Sequence, residues 1–354
     1  MANPIILRPR TLIALSTVAL LIALVAPTAT AFCGPSSAHR SAAGSHYSPG
    51  RRTTALDMGN RASGGGAPPS ESTRKCFVGK SVLLTGASRG LGKSLATRLV
   101  SCGVSELILS GRDYEALDGV RAECLRLGPD VKVRVVPCDL ADRDSVDELA
   151  RETLASCDGG AVDVLINNGG ISSRSSFLET DIEVDERLMR VNFMSGAQLA
   201  KAVVPGMVGR GSGRIVWISS VQGRIGTPFR TSYAASKFAV AGFCEALRAE
   251  LSSRGVTVHV ASPGYVRTGL SQSAVTGDGS AYGKTDETTA NGADPDDVAA
   301  DILDSVAAGR TDFVVAATFS ARLAIWLKFL APSFLEKQLV KRYERQTLES
   351  KKTD

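Results

Sequence analysis

A tyrosine and a lysine lie one helical turn apart in the segment RTSYAASKFAVAGFCEAL, residues 230–247. The alanine-rich composition predicts a helix, so the side chains of Tyr233 and Lys237, four residues apart, are expected on one face. One interpretation is a solvated helix edge with a lysine stem covering apolar surface. The other is a proton donor, because a phenol can protonate an alkoxide and a neighbouring ammonium is expected to lower the phenol's pKa from about 10.

A serine at the end of a predicted strand adds to this pair. Ser220 closes the apolar run GRIVWISS, and Tyr233 follows it thirteen residues later. A hydroxyl in that place can hold the oxygen of a carbonyl while the phenol supplies the proton. A strand-end turn explains Ser220 alone, but the three residue types together favour acid–base chemistry.

The elements that must position these side chains alternate along the chain. From Phe77 onward, short apolar runs such as KSVLLTG, SELILSG and VDVLINN alternate with amphipathic stretches of helical length. This alternation predicts right-handed β–α–β crossovers and therefore an α/β fold, a doubly wound, Rossmann-type parallel sheet with helices on both faces. Ligands of such sheets bind beyond the carboxyl ends of the strands, where Ser220 lies.

A glycine-rich turn follows the first predicted strand. In LLTGASRGLGKSLA, three glycines (Gly86, Gly90 and Gly92) stand between the strand and its helix. Glycines there allow backbone N–H groups and the helix N-terminus to approach a pyrophosphate. Such a turn alone is weak evidence, and its place in the first β–α unit strengthens it.

These motifs together resemble the short-chain dehydrogenase/reductase family. Thr-Gly-x-x-x-Gly-x-Gly and Ser-x12-Tyr-x3-Lys are joined by CDLAD, NNGG and SPGYVRTGL, and the resemblance spans about residues 77–345. Gly169 stands where the family usually has alanine, which we expect to loosen that loop. From Ile218 onward the chain is most similar to a membrane-associated subgroup. The resemblance implies a dinucleotide site made of Thr85, Gly86, Ser88, Arg89, Gly90, Leu91, Gly92, Arg112, Asp139, Asn168, Tyr233, Lys237, Pro263, Gly264, Val266 and Thr268.

The resemblance also implies roles around the reacting group. Asn192 matches the family's helix asparagine in a proton relay to Lys237, so the implied catalytic residues are Asn192, Ser220, Tyr233 and Lys237. Ser220, Phe229 and Tyr233 are the expected substrate contacts. The loop of residues 269–293 corresponds to a mobile substrate lid, and the Tyr233 helix to the family's dimer contact, so a homodimer is expected.

The second β–α unit bears on the choice between NAD and NADP(H). Asp113 lies about where an acidic residue would hold the ribose 2′-hydroxyl of NAD. However, Gly111 and Arg112 come first at the strand end, so Asp113 is expected to cap the next helix. Arg112 and Arg89 could then hold a 2′-phosphate, which favours NADP(H).

Composition excludes several classes of function. The formal charge is only +5 in 354 residues, and no run of basic residues is interleaved with aromatic residues. Binding to nucleic acid is therefore not expected. The seven cysteines form no CxxC pair, and the three histidines have no metal-ligand spacing, so neither a disulfide framework nor a metal site is predicted.

The two ends of the chain differ from the middle. Residues 1–31 have the order of a signal-type leader, and residues 32–76 look like a transit peptide and linker, with no acidic residue before Asp57. This two-part leader resembles those of algae with complex plastids, and the alternative is a retained anchor in the endoplasmic reticulum membrane. Residues 77–316 are the predicted catalytic domain, and residues 317–354 a helical, amphipathic tail that packs on the body or contacts a membrane surface.

The resulting hypothesis is an NADPH-dependent carbonyl reductase or alcohol dehydrogenase with Tyr233 as proton donor and a small carbonyl substrate that could be lipid-like. One alternative is a dinucleotide-binding protein without turnover. The other is a plastid reductase of 3-oxoacyl thioesters, for which a basic patch beside the lid is expected, whereas this lid carries Asp278, Asp286 and Glu287.

Overall fold

The computed structural model describes residues 67–350, except for the side chains of Asp158, Glu349 and Ser350. The predicted signal-type leader, most of the transit-peptide-like segment and the alternative membrane anchor lie outside the described residues. Among the helices of the described range, none is long and apolar enough to cross a membrane.

Seven strands within residues 67–350 form one parallel sheet. They are β1 Ser81–Thr85, β2 Glu106–Gly111, β3 Lys132–Pro137, β4 Val164–Asn167, β5 Gly213–Ile218, β6 Val256–Pro263 and β7 Asp312–Val315. Their order is β3-β2-β1-β4-β5-β6-β7, and every neighbouring pair is parallel. The order reverses between β1 and β4, which is where a crevice opens in such sheets. The predicted doubly wound parallel sheet is confirmed.

Helices surround this sheet. They are α1 Glu71–Phe77, α2 Gly90–Ser101, α3 Tyr114–Leu127, α4 Arg143–Ser156, α5 Ile182–Met189, α6 Ser195–Gly209, α7 Thr231–Leu251, α8 Glu287–Ala290, α9 Pro295–Ala307, α10 Phe319–Leu330 and α11 Pro332–Ser350. Successive residues of β1 point to opposite faces, because Val82 and Leu84 belong to one buried cluster and Leu83 to the other. The sheet therefore has a hydrophobic core on each face.

The helix predicted to begin near Ile182 is interrupted. Residues Arg190–Met194 form a π-helical segment between α5 and α6. Pi-helical turns insert an extra residue into a helix and frequently occur at functional sites. Here the segment holds Asn192, which is buried.

The helices α1, α8 and α9 and the strand β7 were not predicted from the sequence. The linker prediction is wrong for residues 71–76, which belong to α1: the Ser70 hydroxyl accepts a hydrogen bond from the Thr73 N–H, and the Thr73 hydroxyl bonds to the Asp304 carboxylate. Phe77 at the end of α1 is fully buried. The core on this side of the sheet is completed by α9 and β7, which supply Ile302 and Phe313.

The predicted helical tail is present as α10 and α11. Ala331 separates the two helices, and Pro332 begins the second, a position that proline favours because no helical N–H is lost there. No residue of α10 is buried, and Phe319, Trp326, Phe329 and Leu330 are between 66 and 77% exposed. Among the described side chains of α11, only Leu335 is buried, so most of the apolar surface of the tail faces away from the core.

Candidate active site

The glycine turn after β1 needs glycine for its conformation and its packing. Gly86 and Gly90 have φ values of +64° and +52°, a region that residues with a side chain rarely adopt. A Cβ on Gly92 would lie 2.0 Å from the Gly86 carbonyl oxygen. Arg89 precedes α2 without a side-chain cap, so the first N–H groups of the helix stay available to a ligand. The turn has the shape and donors that a pyrophosphate requires.

Two arginines flank this turn, as predicted. Arg89 and Arg112 are exposed at the same cavity, together with the Ser88 hydroxyl. Within residues 67–350 neither guanidinium forms an ion pair with another side chain. Asp113 caps α3, with its carboxylate accepting the Ala116 N–H at 3.0 Å, as expected.

The loop after β4 is tied to the glycine turn. The Asn168 side-chain amide donates to the carbonyls of Thr85 and Gly86, both at 3.0 Å. The Thr85 hydroxyl accepts the backbone N–H groups of Asn168 and Gly169 at 3.1 and 3.0 Å. The Gly169 prediction needs a correction, since a Cβ there would lie 2.5 Å from the Leu140 side chain. Glycine at 169 permits close packing rather than a loose loop.

Ser220, Tyr233 and Lys237 meet at the carboxyl end of β5. Ser220 follows β5 and caps the next turn by accepting the Gln222 N–H at 3.1 Å, while Tyr233 and Lys237 lie in the first two turns of α7. All three side chains are buried but line one cavity. The Lys237 ammonium donates to the Ile218 carbonyl at 3.0 Å, and burial lowers its pKa to about 8.

The expectation that Lys237 lowers the pKa of Tyr233 is not met. Burial raises the Tyr233 pKa above its ordinary value, and this is opposed by hydrogen bonding with Ser220 and by the charges of Arg230 and Arg174. The Lys237 nitrogen lies 5.8 Å from the centre of the Tyr233 ring, over its face.

The Asn192 side chain forms hydrogen bonds with the backbone of the loop after β4. Its side-chain oxygen accepts the Ile171 N–H at 2.8 Å, and its nitrogen donates to the Ile171 carbonyl at 2.9 Å and to the Ser236 hydroxyl at 3.0 Å. This paired contact fixes the loop after β4 beside the first turns of α7. Asn192 itself does not line the cavity.

One cavity of about 270 Å³ joins the glycine turn to the tyrosine. Of the predicted site residues, Thr85, Asn192 and Phe229 lie outside its lining, and the Phe229 ring stacks on Tyr343 instead. The other predicted residues line the cavity: Gly86, Ser88, Arg89, Gly90, Leu91, Gly92, Arg112, Asp139, Asn168, Ser220, Tyr233, Lys237, Pro263, Gly264, Val266 and Thr268.

Comparison with known families agrees with this arrangement. The sequence model of the family described as short chain dehydrogenase matches residues 80–278, more than half of the chain. The chain belongs to the short-chain dehydrogenase family. The resemblance inferred from the motifs is thereby confirmed.

Individual short-chain dehydrogenases are similar over most of the chain. Dehydrogenase/reductase SDR family member 7B of Danio rerio is 45% identical over 272 residues, covering 76% of this chain and 87% of the relative. Dehydrogenase/reductase SDR family protein 7-like of Anopheles gambiae is 43% identical over 270 residues, covering 75% and 84%.

Solved short-chain dehydrogenases share the fold. The enzyme of Sphingobium yanoikuyae, in complex with NADPH, superposes with a TM-score of 0.59 at 26% identity and covers 77% of this chain and 95% of its own. That of Burkholderia phymatum, in complex with NAD, has a TM-score of 0.63 at 25% identity and covers 73% and 95%. The chain is thus a dehydrogenase/reductase with a site for a nicotinamide dinucleotide.

The substrate end of this short-chain dehydrogenase contains charged residues that sequence patterns did not indicate. Asp286, on the predicted lid, lies between Arg174 and Arg230, with shortest distances of 2.5 and 2.9 Å to its Oδ2 atom. All three side chains are at most 16% exposed. Arg230 is the first residue of the segment that holds Tyr233 and Lys237, whereas Arg174 and Asp286 are far apart in the chain and carry no motif. Tyr265 also lines the cavity, and its place inside SPGYVRTGL is a signal that could have identified it.

Proposed function

We propose that this protein is an NADPH-dependent carbonyl reductase in which Tyr233 donates a proton to the developing alkoxide. The observation that carries the proposal is that the buried phenol faces the same cavity as the glycine turn, with Ser220 and Lys237 beside it. A nicotinamide dinucleotide held at that turn supplies the hydride.

The chain's own residues then have distinct tasks. Burial raises the pKa of Tyr233, so the phenol is protonated at neutral pH and is ready to act as an acid. The Ser220 hydroxyl holds the substrate oxygen near it. Arg230 and Arg174 stabilise the phenolate after transfer, because their charges lower the Tyr233 pKa. The Lys237 ammonium lies over the face of the Tyr233 ring. It can return a proton to the Tyr233 phenolate after the transfer.

Removal of the phenol hydroxyl tests the acid role. We expect Tyr233→Phe to lower kcat for any accepted carbonyl by at least about 100-fold, because general acid catalysis contributes on the order of 100- to 10,000-fold. NADPH affinity, measured by fluorescence quenching, should stay within about threefold of wild type since the glycine turn is untouched. Wild-type turnover by Tyr233→Phe would refute the mechanism.

Measurements of NADPH binding and of carbonyl reduction by the wild-type protein distinguish the proposed reductase from the two alternative functions. Wild-type protein that quenches NADPH fluorescence but oxidises none of it with a broad carbonyl panel would be a dinucleotide-binding protein without turnover. Selective activity on 3-oxoacyl carrier-protein thioesters would identify the other alternative. Against the latter, Arg174 and Arg230 beside the lid are largely buried around Asp286, so these two do not form a surface patch for a carrier protein.

The preference for NADP(H) rests on the two arginines at the adenosine end. Arg89 and Arg112 present guanidinium groups there that pair with no carboxylate of residues 67–350, whereas the Asp113 carboxylate is engaged in capping α3. A 2′-phosphate would bind such guanidinium groups through charge-assisted hydrogen bonds.

Substitution of Arg112 tests this preference. We expect Arg112→Ala to reduce the ratio of NADPH to NADH specificity by at least about tenfold, the equivalent of one charge-assisted hydrogen bond. The kcat with saturating NADPH should change little, because Arg112 is remote from Tyr233. An unchanged ratio would contradict the role of Arg112, and Arg89→Ala then shows whether the other arginine suffices.

We further propose that the substrate is apolar and that the protein takes it up at a membrane surface. The support is the tail, where Phe319, Trp326, Phe329 and Leu330 of α10 are exposed beside basic residues such as Lys328. Inclusion of lipid-linked ketones in the carbonyl panel tests the substrate class directly.

A further inference from the structure

The C-terminal helix α11 acts on two separate loops at the substrate end of the cavity, on one through a ring contact and on the other through charge. The Tyr343 ring stacks on Phe229 with the ring centres 5.2 Å apart and the planes inclined by 24°. The charge of the preceding residue, Arg342, acts on the Tyr265 side chain and lowers its pKa. One helix therefore packs against the loop before α7 and exerts an electrostatic effect on the loop after β6.

Each of these loops supplies a residue to the cavity. Tyr265 lines it directly, and Phe229 is followed by Arg230, which also lines it. Arg230 pairs with Asp286 at 2.9 Å and is among the charges that act on Tyr233. Its carbonyl accepts the Ala234 N–H at 2.8 Å, a bond of the first turn of α7. The position of Phe229 thus bears on the start of the catalytic helix.

Phe229 has a conformation that needs outside support. Its φ is +63°, a left-handed value that is uncommon for a residue with a bulky side chain and is adopted only where the surroundings enforce it. Two contacts hold it: the Ser175 N–H donates to its carbonyl at 3.2 Å, and Tyr343 stacks on its ring. The second contact comes from α11.

We propose that Tyr343 is a positioning residue of the active site, through which α11 holds the Phe229–Arg230 loop in place at the substrate end of the cavity. The C-terminal tail then contributes to the substrate-binding site. The kinetic consequences rest on the proposed carbonyl reduction, whereas the contacts themselves can be measured without turnover.

Substitutions at Tyr343 test the proposal kinetically. Tyr343→Ala removes the stacked ring, and we expect it to raise KM for the carbonyl about tenfold, since small displacements of a substrate-positioning group have effects of this order or more. The affinity for NADPH should not change, because the glycine turn lies at the other end of the cavity. Tyr343→Phe retains the ring and should restore wild-type KM. Lys337→Ala, an exposed cation on the same helix, is the matched control and should resemble wild type.

Two outcomes of this series would overturn the proposal. One is a wild-type KM in Tyr343→Ala. The other is a parallel loss of carbonyl KM, NADPH affinity and thermal stability in Tyr343→Ala, which would show that the helix acts on the whole fold and not on the substrate end. Tyr343 is 45% exposed, so its truncation leaves no large cavity in the core.

A titration of Tyr265 tests, without any substrate, whether Arg342 of α11 contacts the loop after β6. Burial raises the pKa of Tyr265, but the guanidinium groups of Arg342 and Arg230 outweigh it, and the net pKa lies below the ordinary value. We expect Arg342→Ala to shift the Tyr265 transition to higher pH in tyrosinate absorbance, with Tyr265→Phe identifying which transition is lost. An unmoved transition would refute the contact. A shift in a protein that reduces no carbonyl would support the contact while the proposed function fails.

Discussion

Tyr233 and Lys237 share one turn of α7, but the fold gives them different surroundings. The phenol faces the cavity with Ser220 and two arginines near it, while the ammonium lies under the ring on the Ile218 carbonyl. Burial acts on both in the same sense, disfavouring the charged form of each. The phenol is therefore a stronger candidate for an acid than for a base at neutral pH.

The depressed pKa of Lys237 predicts a pH dependence. Burial lowers it to about 8, so the ammonium is present below that pH and is lost as the pH rises through it. If turnover needs this charge, kcat/KM for carbonyl reduction should fall above pH about 8, approaching a tenfold loss per pH unit. Tyr233 does not account for such a fall, since its pKa is raised.

The control for this profile is Lys237→Arg. A guanidinium stays protonated across the whole range, so whatever activity the variant keeps should show no loss near pH 8. A wild-type profile that is flat well above this pH would show that the lysine charge is dispensable.

At the scale of elements, the site is assembled from the ends of parallel strands. β1 presents the glycine turn, β4 the Asn168 loop and β5 Ser220, and all three ends lie at one edge of the sheet. The turn after β1 and the loop after β4 are interlocked through Asn168 and Thr85. This interlock makes the dinucleotide end a rigid unit.

A methyl group at Gly92 should disrupt this unit. In Gly92→Ala the new Cβ would lie 2.0 Å from the Gly86 oxygen and 2.8 Å from the Asn168 amide, so the backbone must shift. We expect NADPH affinity to fall by at least about tenfold, with a loss of about 1–3 kcal/mol in stability as for other overpacked sites. Fluorescence quenching and thermal unfolding measure the two effects.

Gly119→Ala is the matched control. Gly119 lies inside α3, and a Cβ at this position would have no atom of the described residues within 4 Å beyond its own helix backbone and chain neighbours. Alanine should therefore stabilise the helix by about 0.5–1 kcal/mol and leave NADPH affinity unchanged. Equal effects of the two substitutions would contradict a specific role for the turn.

At the scale of the whole molecule, the catalytic fold has additions at both ends. Helix α1 packs on the core before β1, and α10 and α11 follow β7. The homodimer expected through α7 stays a prediction. Its support is that Ala239, Ala241, Ala246 and Ala249 of this helix are at least partly exposed and permit close approach of a second helix.

We propose that residues 1–76 direct the protein to a plastid. Fused to a fluorescent protein and expressed in an alga with complex plastids, they should give plastid fluorescence, because an apolar signal precedes an acid-free, serine- and arginine-rich stretch. A fusion lacking residues 1–31 should remain outside the plastid. Fluorescence held at the endoplasmic reticulum by the longer fusion would instead support the retained anchor.

Local sequence was sufficient for the doubly wound parallel architecture, although not for β7, and for the glycine turn and the serine–tyrosine–lysine set. These features depend on periodicity and on short spacings, such as the one helical turn between Tyr233 and Lys237. Such patterns can be recognised in a sequence without knowledge of long-range contacts. The cap role of Asp113 followed from the same kind of local argument and is seen in the structure.

Only the tertiary structure shows which residues meet at the substrate end of the cavity. The pairing of Arg174 and Arg230 with Asp286, and the stacking of Tyr343 of α11 on Phe229, join segments that are distant in the chain. The sign of the Tyr233 pKa shift was likewise decided by the fold, because desolvation depends on everything packed around the phenol. No spacing along the chain encodes these quantities, since they arise only when the loops and the tail converge on one cavity.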